Sequence, residues 1–352
     1  MLRFTTAGES HGAALVAILE GMPAGVQLLA GDVDAQLERR QAGYGRGRRM
    51  QIESDRVELL SGVRAGETLG SPIAMLIRNN DWRNWQEIMN PAPLEGESDV
   101  AGHVAERKRA VTRPRPGHAD LAGMLKYDRA DARDILERAS ARETAARVAA
   151  GAVCRAFLSQ LDVSVGSHVV ELGDVIARVP DLLPADLNNA ADASPLRTLD
   201  REAEVRMIQL IDEAKRAGDT LGGICEVIVT GLPVGLGSHV SWDRKLDGRL
   251  AAALMSIQAV KGVEIGMGFR AARLPGSKVH DEIDPAEEAV SRGRLRRRSN
   301  HAGGLEGGIT TGESLVLRVA MKPISTLMRP LASVEMKTRE SAESTVERSD
   351  VT

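Results

Sequence analysis

The sequence predicts an α/β (α+β) protein built around a duplicated strand–turn–helix unit, and two observations carry that expectation. First, Val163 to Val170, Ile224 to Thr230 and Leu315 to Met321 are rich in β-branched residues, as strands are, and they alternate with helical periods. Second, Gly12 is followed nine residues later by Gly21-Met22-Pro23-Ala24-Gly25, and Gly222 nine residues later by Gly231-Leu232-Pro233-Val234-Gly235. Each apolar strand ends in G-[ML]-P-x-G and leads into a helix finishing near a Gln-Ala pair, Gln41-Ala42 or Gln258-Ala259. A repeat at matched spacing reads as duplication, so one pseudo-symmetric domain is expected over residues 1–352.

Taken in order, Gly12 to Glu20 reads as a buried strand, and Asp32 to Gln41 as a helix capped by Asp32 and stopped at Gly43. Arg78 to Gly117 has little periodicity and collects Asn79, Asn80, Asp81, Trp82, Arg83 and Asn84, so it reads as a lid over a charged site. Arg142 to Leu161 sets Ala145, Val148, Ala149, Ala152, Val153, Ala156 and Phe157 at helical spacing. Arg201 to Ala217 and Asp243 to Gln258 predict two further amphipathic helices.

Composition narrows the function. At 43% hydrophobic and 27% charged, the 352 residues suit a folded enzyme-sized chain rather than a disordered one. The beginning lacks a basic segment followed by an apolar run, and no stretch approaches the roughly 18 apolar residues of a membrane span, so a cytoplasmic location is expected. Cys154 and Cys225 sit in apolar settings without CxxC spacing and read as reduced core thiols. A net charge of -3 argues against a general polyanion binder, and 2% aromatic content argues against a base-stacking platform. Eight of the 46 basic residues are Lys, leaving 38 Arg, the side chain whose planar fork matches phosphates and carboxylates. No HExxH motif or Cys/His cluster appears, so no metal is expected.

Several short constellations could carry chemistry. Gly8-Glu9-Ser10-His11-Gly12 forms a turn ahead of a strand, where His11 could protonate a leaving oxyanion; a lone turn histidine is more often structural. The motif is no nucleophile elbow, because a strand rather than a helix follows it. Arg40 and Gly43-Tyr44-Gly45-Arg46-Gly47-Arg48-Arg49 can converge guanidinium groups on an anion, or form a solvated or nucleic-acid-binding segment. Arg113-Pro114-Arg115-Pro116-Gly117-His118-Ala119-Asp120 is stiff, basic and ends on a histidine. Glu137-Arg138-Ala139-Ser140-Ala141-Arg142 places small residues at a helix start, where backbone N–H groups meet an anion, unless Ser140 is a plain cap. A G-x-G-x-x-A pattern at Gly266 to Ala271 suggests a dinucleotide turn, but Pro275-Gly276 breaks the helix that an NAD(P)-dependent dehydrogenase would need. The basic run Arg292 to Asn300 could bind nucleic acid, although the acidic balance favours a solvated face.

Taken together, GESHG, RPGHAD, RASAR, KPIST and RSD in this order resemble the chorismate synthase family over essentially the whole chain, Gly8 to Asp350. The resemblance implies a β-α-β sandwich of pseudo-symmetric halves, a homotetramer, and conversion of 5-enolpyruvylshikimate 3-phosphate to chorismate with reduced FMN. It implies FMN contacts at Arg138, Ala139, Ser140, Gln258, Ala259, Gly307, Lys322, Pro323, Ile324, Ser325, Thr326 and Arg348. Ser10, Arg40, Arg46, Arg49, Arg115 and Arg142 would meet the anionic substrate; Arg40 and Arg46 are also associated with NADPH in the family, which leaves both ligands open. The implied reaction is a 1,4-anti elimination without net redox. His11 would protonate the phosphate, His118 would serve the reduced flavin, and Asp350 would assist proton removal. The chain stops inside the family's last signature, where the resemblance implies a further terminal helix.

Overall fold

The computed structural model describes residues 2–46, 54–92, 109–286, 295–347 and 351. Contacts divide the chain into two compact units, Met1–Phe157 with Ile211–Thr220 and Ile324–Thr352, and Leu158–Leu210 with Leu221–Pro323.

The first unit contains β1 (Arg3–Ala7), β2 (Ala14–Glu20), β3 (Ala24–Gln27), α1 (Ala30–Gln41), β4 (Val57–Leu59), β5 (Val63–Arg64), β6 (Glu67–Leu69) and β7 (Ile73–Arg78). These are followed by α2 (Asp120–Tyr127), α3 (Arg133–Ala139) and α4 (Thr144–Ser159), which runs to the unit's edge. Antiparallel strands in the order β1-β2-β7-β4 form its main sheet, and β3-β6-β5 a smaller one. Strand alternation puts Leu15, Ala17 and Leu19 opposite Ile77, Met75 and Ile73, all six buried, on one face. Val33 and Leu37 of α1 and Ala145, Ala146, Ala149, Ala152 and Val153 of α4 complete that core. Helix α1 starts earlier than the sequence predicts. Its cap is Leu29, and Asp32 lies inside the first turn with its carboxylate accepting the Leu29 N–H at 2.8 Å. Of the segment read as a lid, residues 93–108 lie outside the described residues; in the described part Asn79, Asp81 and Trp85 are buried around a 3₁₀ turn, Asn80–Asn84, while Asn80, Arg83 and Asn84 are exposed.

The second unit has β8 (Ser164–Leu172), β9 (Val175–Ile176), α5 (Leu187–Asp192), α6 (Arg201–Ala217, to Leu210 in this unit), β10 (Gly223–Thr230), α7 (Leu246–Met255) and β11 (Val260–Ile265). Next come the short strands β12 (Ile283–Pro285), β13 (Leu295–Arg297), β14 (Leu305–Glu306) and β15 (Ile309–Thr310), then β16 (Leu315–Met321). The main sheet runs β11-β16-β10-β8-β9. Val229, Leu315 and Leu317 cluster with Leu246, Leu250 and Leu254 of α7. On the other face Glu226 stands opposite His168 on one neighbour and Arg318 on the other, bonded to each at 3.1 and 2.8 Å. The helix expected over Asp243 to Gln258 is split into a 3₁₀ turn, Trp242–Arg244, an extended Lys245, and α7. No helix among the described residues is long and apolar enough to cross a membrane.

The echo in the sequence is a repeated piece of hydrogen-bonded structure. Thr68 Oγ1 accepts from Val26 N–H at 3.0 Å and donates to the Pro23 carbonyl at 2.6 Å. In the second unit Thr310 Oγ1 accepts from Leu236 N–H at 2.8 Å and donates to the Pro233 carbonyl at 2.7 Å. Gly62 and Gly304 also correspond. Each has positive φ, and a Cβ on either would strike the carbonyl oxygen and following Cα of a neighbouring strand, Pro72-Ile73 or Ser314-Leu315. One supersecondary unit therefore occurs twice, once in each half.

Candidate functional site

In the first unit the GESHG turn is built against α3. Ser10 N–H donates to the Glu137 carbonyl at 2.9 Å, His11 N–H to the Glu137 carboxylate at 2.8 Å, and Ser10 Oγ to Ser140 Oγ at 3.1 Å. Asn79, at the end of β7, closes the turn from the other side by donating to the carbonyls of Glu9 and Gly12. The His11 imidazole stacks on Trp85 with centroids 3.8 Å apart, and its Nδ1 lies 3.0 Å from both Glu137 carboxylate oxygens. Arg133, one turn earlier on α3, donates to the same carboxylate at 2.8 Å. Burial pushes the Glu137 carboxyl up, but His11 and Arg133 outweigh that and hold it below its ordinary value.

A second imidazole is arranged the same way. His118 Nδ1 meets the buried Asp120 carboxylate, which also accepts from Arg115 Nε at 2.8 Å and Arg115 N–H at 3.1 Å. Burial again works against ionisation, and His118 and Arg115 reverse it, keeping Asp120 well below the usual carboxylate range. Arg115 Nη1 donates to Thr326 Oγ1 at 2.8 Å and Ser325 Oγ to the Gly117 carbonyl at 2.9 Å, so the KPIST segment clamps the RPGH loop.

Three of the sequence-predicted arginines fall beside these groups. Arg142 Nη1 donates to Asp55 at 2.7 Å, and its Nε to Asn79 Oδ1 at 3.0 Å. Arg40 reaches Asp55 at 3.4 Å and Thr144 Oγ1 at 3.0 Å. Arg138 is half-exposed and donates to the carbonyls of Thr6 and Gly8. Arg46 is exposed in the loop that Tyr44 anchors by donating to Asp212 at 2.9 Å. The turn at Ser140 is tighter than an open anion cradle: Ser140 Oγ accepts the Arg142 N–H at 3.2 Å as a cap on a 3₁₀ turn, Ala141–Glu143, with Ala139 ending α3. Arg49, Arg348 and Asp350 lie outside the described residues.

Gln258, Ala259, Gly307, Lys322 and Pro323 belong to the second unit, Ile324 to the first. Ala259 takes a left-handed φ of 67° and its carbonyl accepts the Lys322 N–H at 3.0 Å, which joins two of the motifs. Gly307 has φ 59°, and a Cβ there would meet nothing within 4 Å, so the backbone is open to a ligand on that side. Burial and the charge of Lys261 lower the Lys322 ammonium pKa, a positive setting that favours an anion. The G-x-G-x-x-A segment makes a 3₁₀ turn, Gly268–Arg273, instead of a long helix. Of the basic run, Arg297 pairs with Glu306 and Arg298 with Asp284, so these cations are already matched by carboxylates.

Sequence reasoning missed Glu137, Asp120 and Asp55 as the carboxylates that organise the cations, and Asn79 and Trp85 as their supports. The Arg133-to-Glu137 spacing of one helical turn and the His-x-Asp spacing were visible signals for two of them. Asp55 and Asn79 gave none.

The sequence model of the chorismate synthase family matches residues 2–352. The chain is 58% identical over 354 residues to the chorismate synthase of Geobacter sulfurreducens, spanning 100% of this chain and 88% of that protein. It is 58% identical over 351 residues to that of Symbiobacterium thermophilum, spanning 99% and 88%. A crystal structure of a chorismate synthase superposes with a TM-score of 0.73 at 46% identity, covering 92% of this chain and 85% of that one.

Proposed function

This chain belongs to the chorismate synthase family, and from that premise we propose that His11 and His118 are its proton-handling groups and that Arg40 and Arg142, which share Asp55, receive the anionic substrate together with Arg115 beside His118. The enzyme is a carbon–oxygen lyase of the shikimate pathway that eliminates phosphate from 5-enolpyruvylshikimate 3-phosphate to give chorismate. The observation that carries the site reading is the gathering of both imidazoles and three buried cation–carboxylate pairs in one unit.

In this reading Arg142 and Arg40, braced by Asp55, present guanidinium groups to the phosphate and carboxylates, with Arg46, Arg49 and Ser10 contributing. Their field stabilises charge accumulating on the departing phosphate. His11 hands that phosphate a proton, with Glu137 stabilising the cation from which it comes. The chemistry that reduced FMN would supply, when bound, is transient electron density favouring phosphate departure without net redox. The residues that the family resemblance assigns to that group would hold it: in the second unit Gly307 with its open backbone, Lys322 with its positive charge, Gln258, Ala259 and Pro323, and in the first Arg138, Ala139, Ser140, Ile324, Ser325, Thr326 and Arg348. His118 would hold a proton toward the bound flavin, and Asp350 would assist the flavin in removing the substrate hydrogen. We further infer one domain over residues 1–352, a homotetramer, a cytoplasmic location, and NADPH as a reductant to be tested beside an external one.

Anaerobic turnover tests the reading: chorismate and phosphate should appear together when substrate meets chemically reduced FMN. His118→Ala should keep FMN binding and lose turnover by about 10²-fold, the usual scale for one general acid. Full activity of that variant removes His118 from the mechanism. Running the same assay with NADPH as sole reductant decides whether the chain reduces its own flavin.

A further inference from the structure

The two imidazoles share a device that the reaction scheme does not require of them. His11 directs Nδ1 at Glu137 and His118 directs Nδ1 at Asp120, and the two carboxylates are almost wholly buried. In both cases an arginine also holds the carboxylate, Arg133 for Glu137 and Arg115 for Asp120, and Arg115 Nη2 lies 3.1 Å from His118 Nδ1 as well. The side chains of His11 and His118 are 15% and 18% exposed, so each ring keeps one edge open. Among the described residues, neither Nε2 has a protein hydrogen bond.

We propose that Glu137 and Asp120 are positioning residues: each captures the Nδ1 hydrogen of one imidazole and thereby fixes Nε2 of His11 and of His118 as the atom that exchanges a proton with the ligand. The proposal rests on the site reading above. Its logic lies in the partners of each carboxylate. Glu137 is approached by His11 N–H, His11 Nδ1 and Arg133 Nη1; Asp120 by Arg115 N–H, Nε and Nη2 and by His118 Nδ1. Backbone amides and guanidinium groups can only donate, so a carboxylate with acceptors alone satisfies every neighbour. The neutral ring left after Nε2 gives up its proton carries hydrogen on Nδ1, the form that the carboxylate stabilises.

That asymmetry makes the test specific. In Glu137→Gln or Asp120→Asn the new NH₂ group must face a neighbour that can accept, and the imidazole Nδ1 alone can do so. The neutral ring should then move its hydrogen to Nε2. Solid-state NMR on protein labelled with ring-¹⁵N histidine reads this directly, because protonated and unprotonated ring nitrogens resonate far apart; His11→Gln and His118→Gln assign the signals. At a pH where the rings are neutral, the wild type should show hydrogen on Nδ1 of both. Glu137→Gln should shift the His11 signals and Asp120→Asn those of His118, each leaving the other ring unchanged.

Turnover should fall by about 10²–10⁴-fold in each variant, with KM for the phosphorylated substrate changed less than threefold. Hydrogen on Nε2 in the wild type, an unmoved tautomer in the carboxamide variants, or a moved tautomer with unchanged kcat would overturn the proposal. A purely structural role would lower the unfolding midpoint while leaving both tautomers in place. Failure of the site reading looks different: His11→Ala and His118→Ala would then both turn over normally, whatever the nitrogen spectra show.

Discussion

Asp55 is the sharpest point at which to probe the arginine cluster. Its carboxylate is 2% exposed and lies 2.7 Å from Arg142, itself 6% exposed, with Arg40 at 3.4 Å. Asp55→Ala strips the counter-charge from two guanidinium groups that have little water to fall back on. Removing one partner of a buried ion pair costs about 3–5 kcal/mol, most of it the uncompensated charge left behind. Asp55→Asn keeps an acceptor for Arg142 but no charge, so its cost should be nearer the 1.5–3 kcal/mol, roughly, of a charge-assisted hydrogen bond. Urea unfolding midpoints of the two variants, read with the wild-type slope, supply the values. A double-mutant cycle with Arg142→Ala isolates the pair: removal of both should be at least about 1 kcal/mol less damaging than the sum of the single changes. If both Asp55 variants lie within about 0.5 kcal/mol of wild type, as surface substitutions do, the buried bridge carries no energy and the argument fails.

Other outcomes follow from the same geometry. Gly307→Ala should cost only about 1 kcal/mol of stability, because its Cβ meets open space and only left-handed strain remains, yet it should weaken FMN binding measured by flavin fluorescence; unchanged affinity would place the ligand elsewhere. Thr68→Val and Thr310→Val each remove an acceptor and a donor from equivalent turns, one in each unit, so both should lose about 1–3 kcal/mol by chemical unfolding, and a large disparity would contradict their equivalence. Asp120 has a folded-state pKa held below that of an exposed Asp, so its contribution is complete above about pH 4 and disappears as pH falls through the depressed value. Asp120→Asn should accordingly be less stable than wild type at pH 7, with a gap that narrows below about pH 4; a gap independent of pH would exclude this linkage.

The long periods were legible in the sequence and the short ones were not. Helix α6 and strand β16 occupy Arg201–Ala217 and Leu315–Met321 as predicted, because an uninterrupted amphipathic or β-branched stretch leaves the chain one way to bury its apolar side. The sheet β3-β6-β5 has strands of two to four residues, too short to show any alternation. Boundaries slipped where a polar side chain did a job other than the expected one, as at Asp32. In the candidate site, glycine, proline and arginine mark an unusual backbone, and those motifs singled out His11, His118 and Arg142, which the structure sets against Glu137, Asp120 and Asp55. Asp55 could not be found this way. It becomes meaningful through Arg142, distant in sequence, and pairings of that kind are created by the fold alone.

Helix α4 meets its sheet through alanines: Ala145, Ala146, Ala149 and Ala152 offer the core single methyl groups and are almost wholly enclosed. Such a wall acts as a thickness gauge. It sets how closely the helix axis can approach the strands, and so where the helix's leading end delivers Thr144 and, just before it, Arg142 and Ser140. A valine at Ala149 would thicken the gauge by two methyl groups, and overpacking of that size costs about 1–3 kcal/mol. The larger effect would be felt at the leading end, since a displacement of about 1 Å in a positioning group can cost 10²-fold in rate. Part of what places the candidate site is therefore written in enclosed residues of the core, as a limit on how large they are allowed to be.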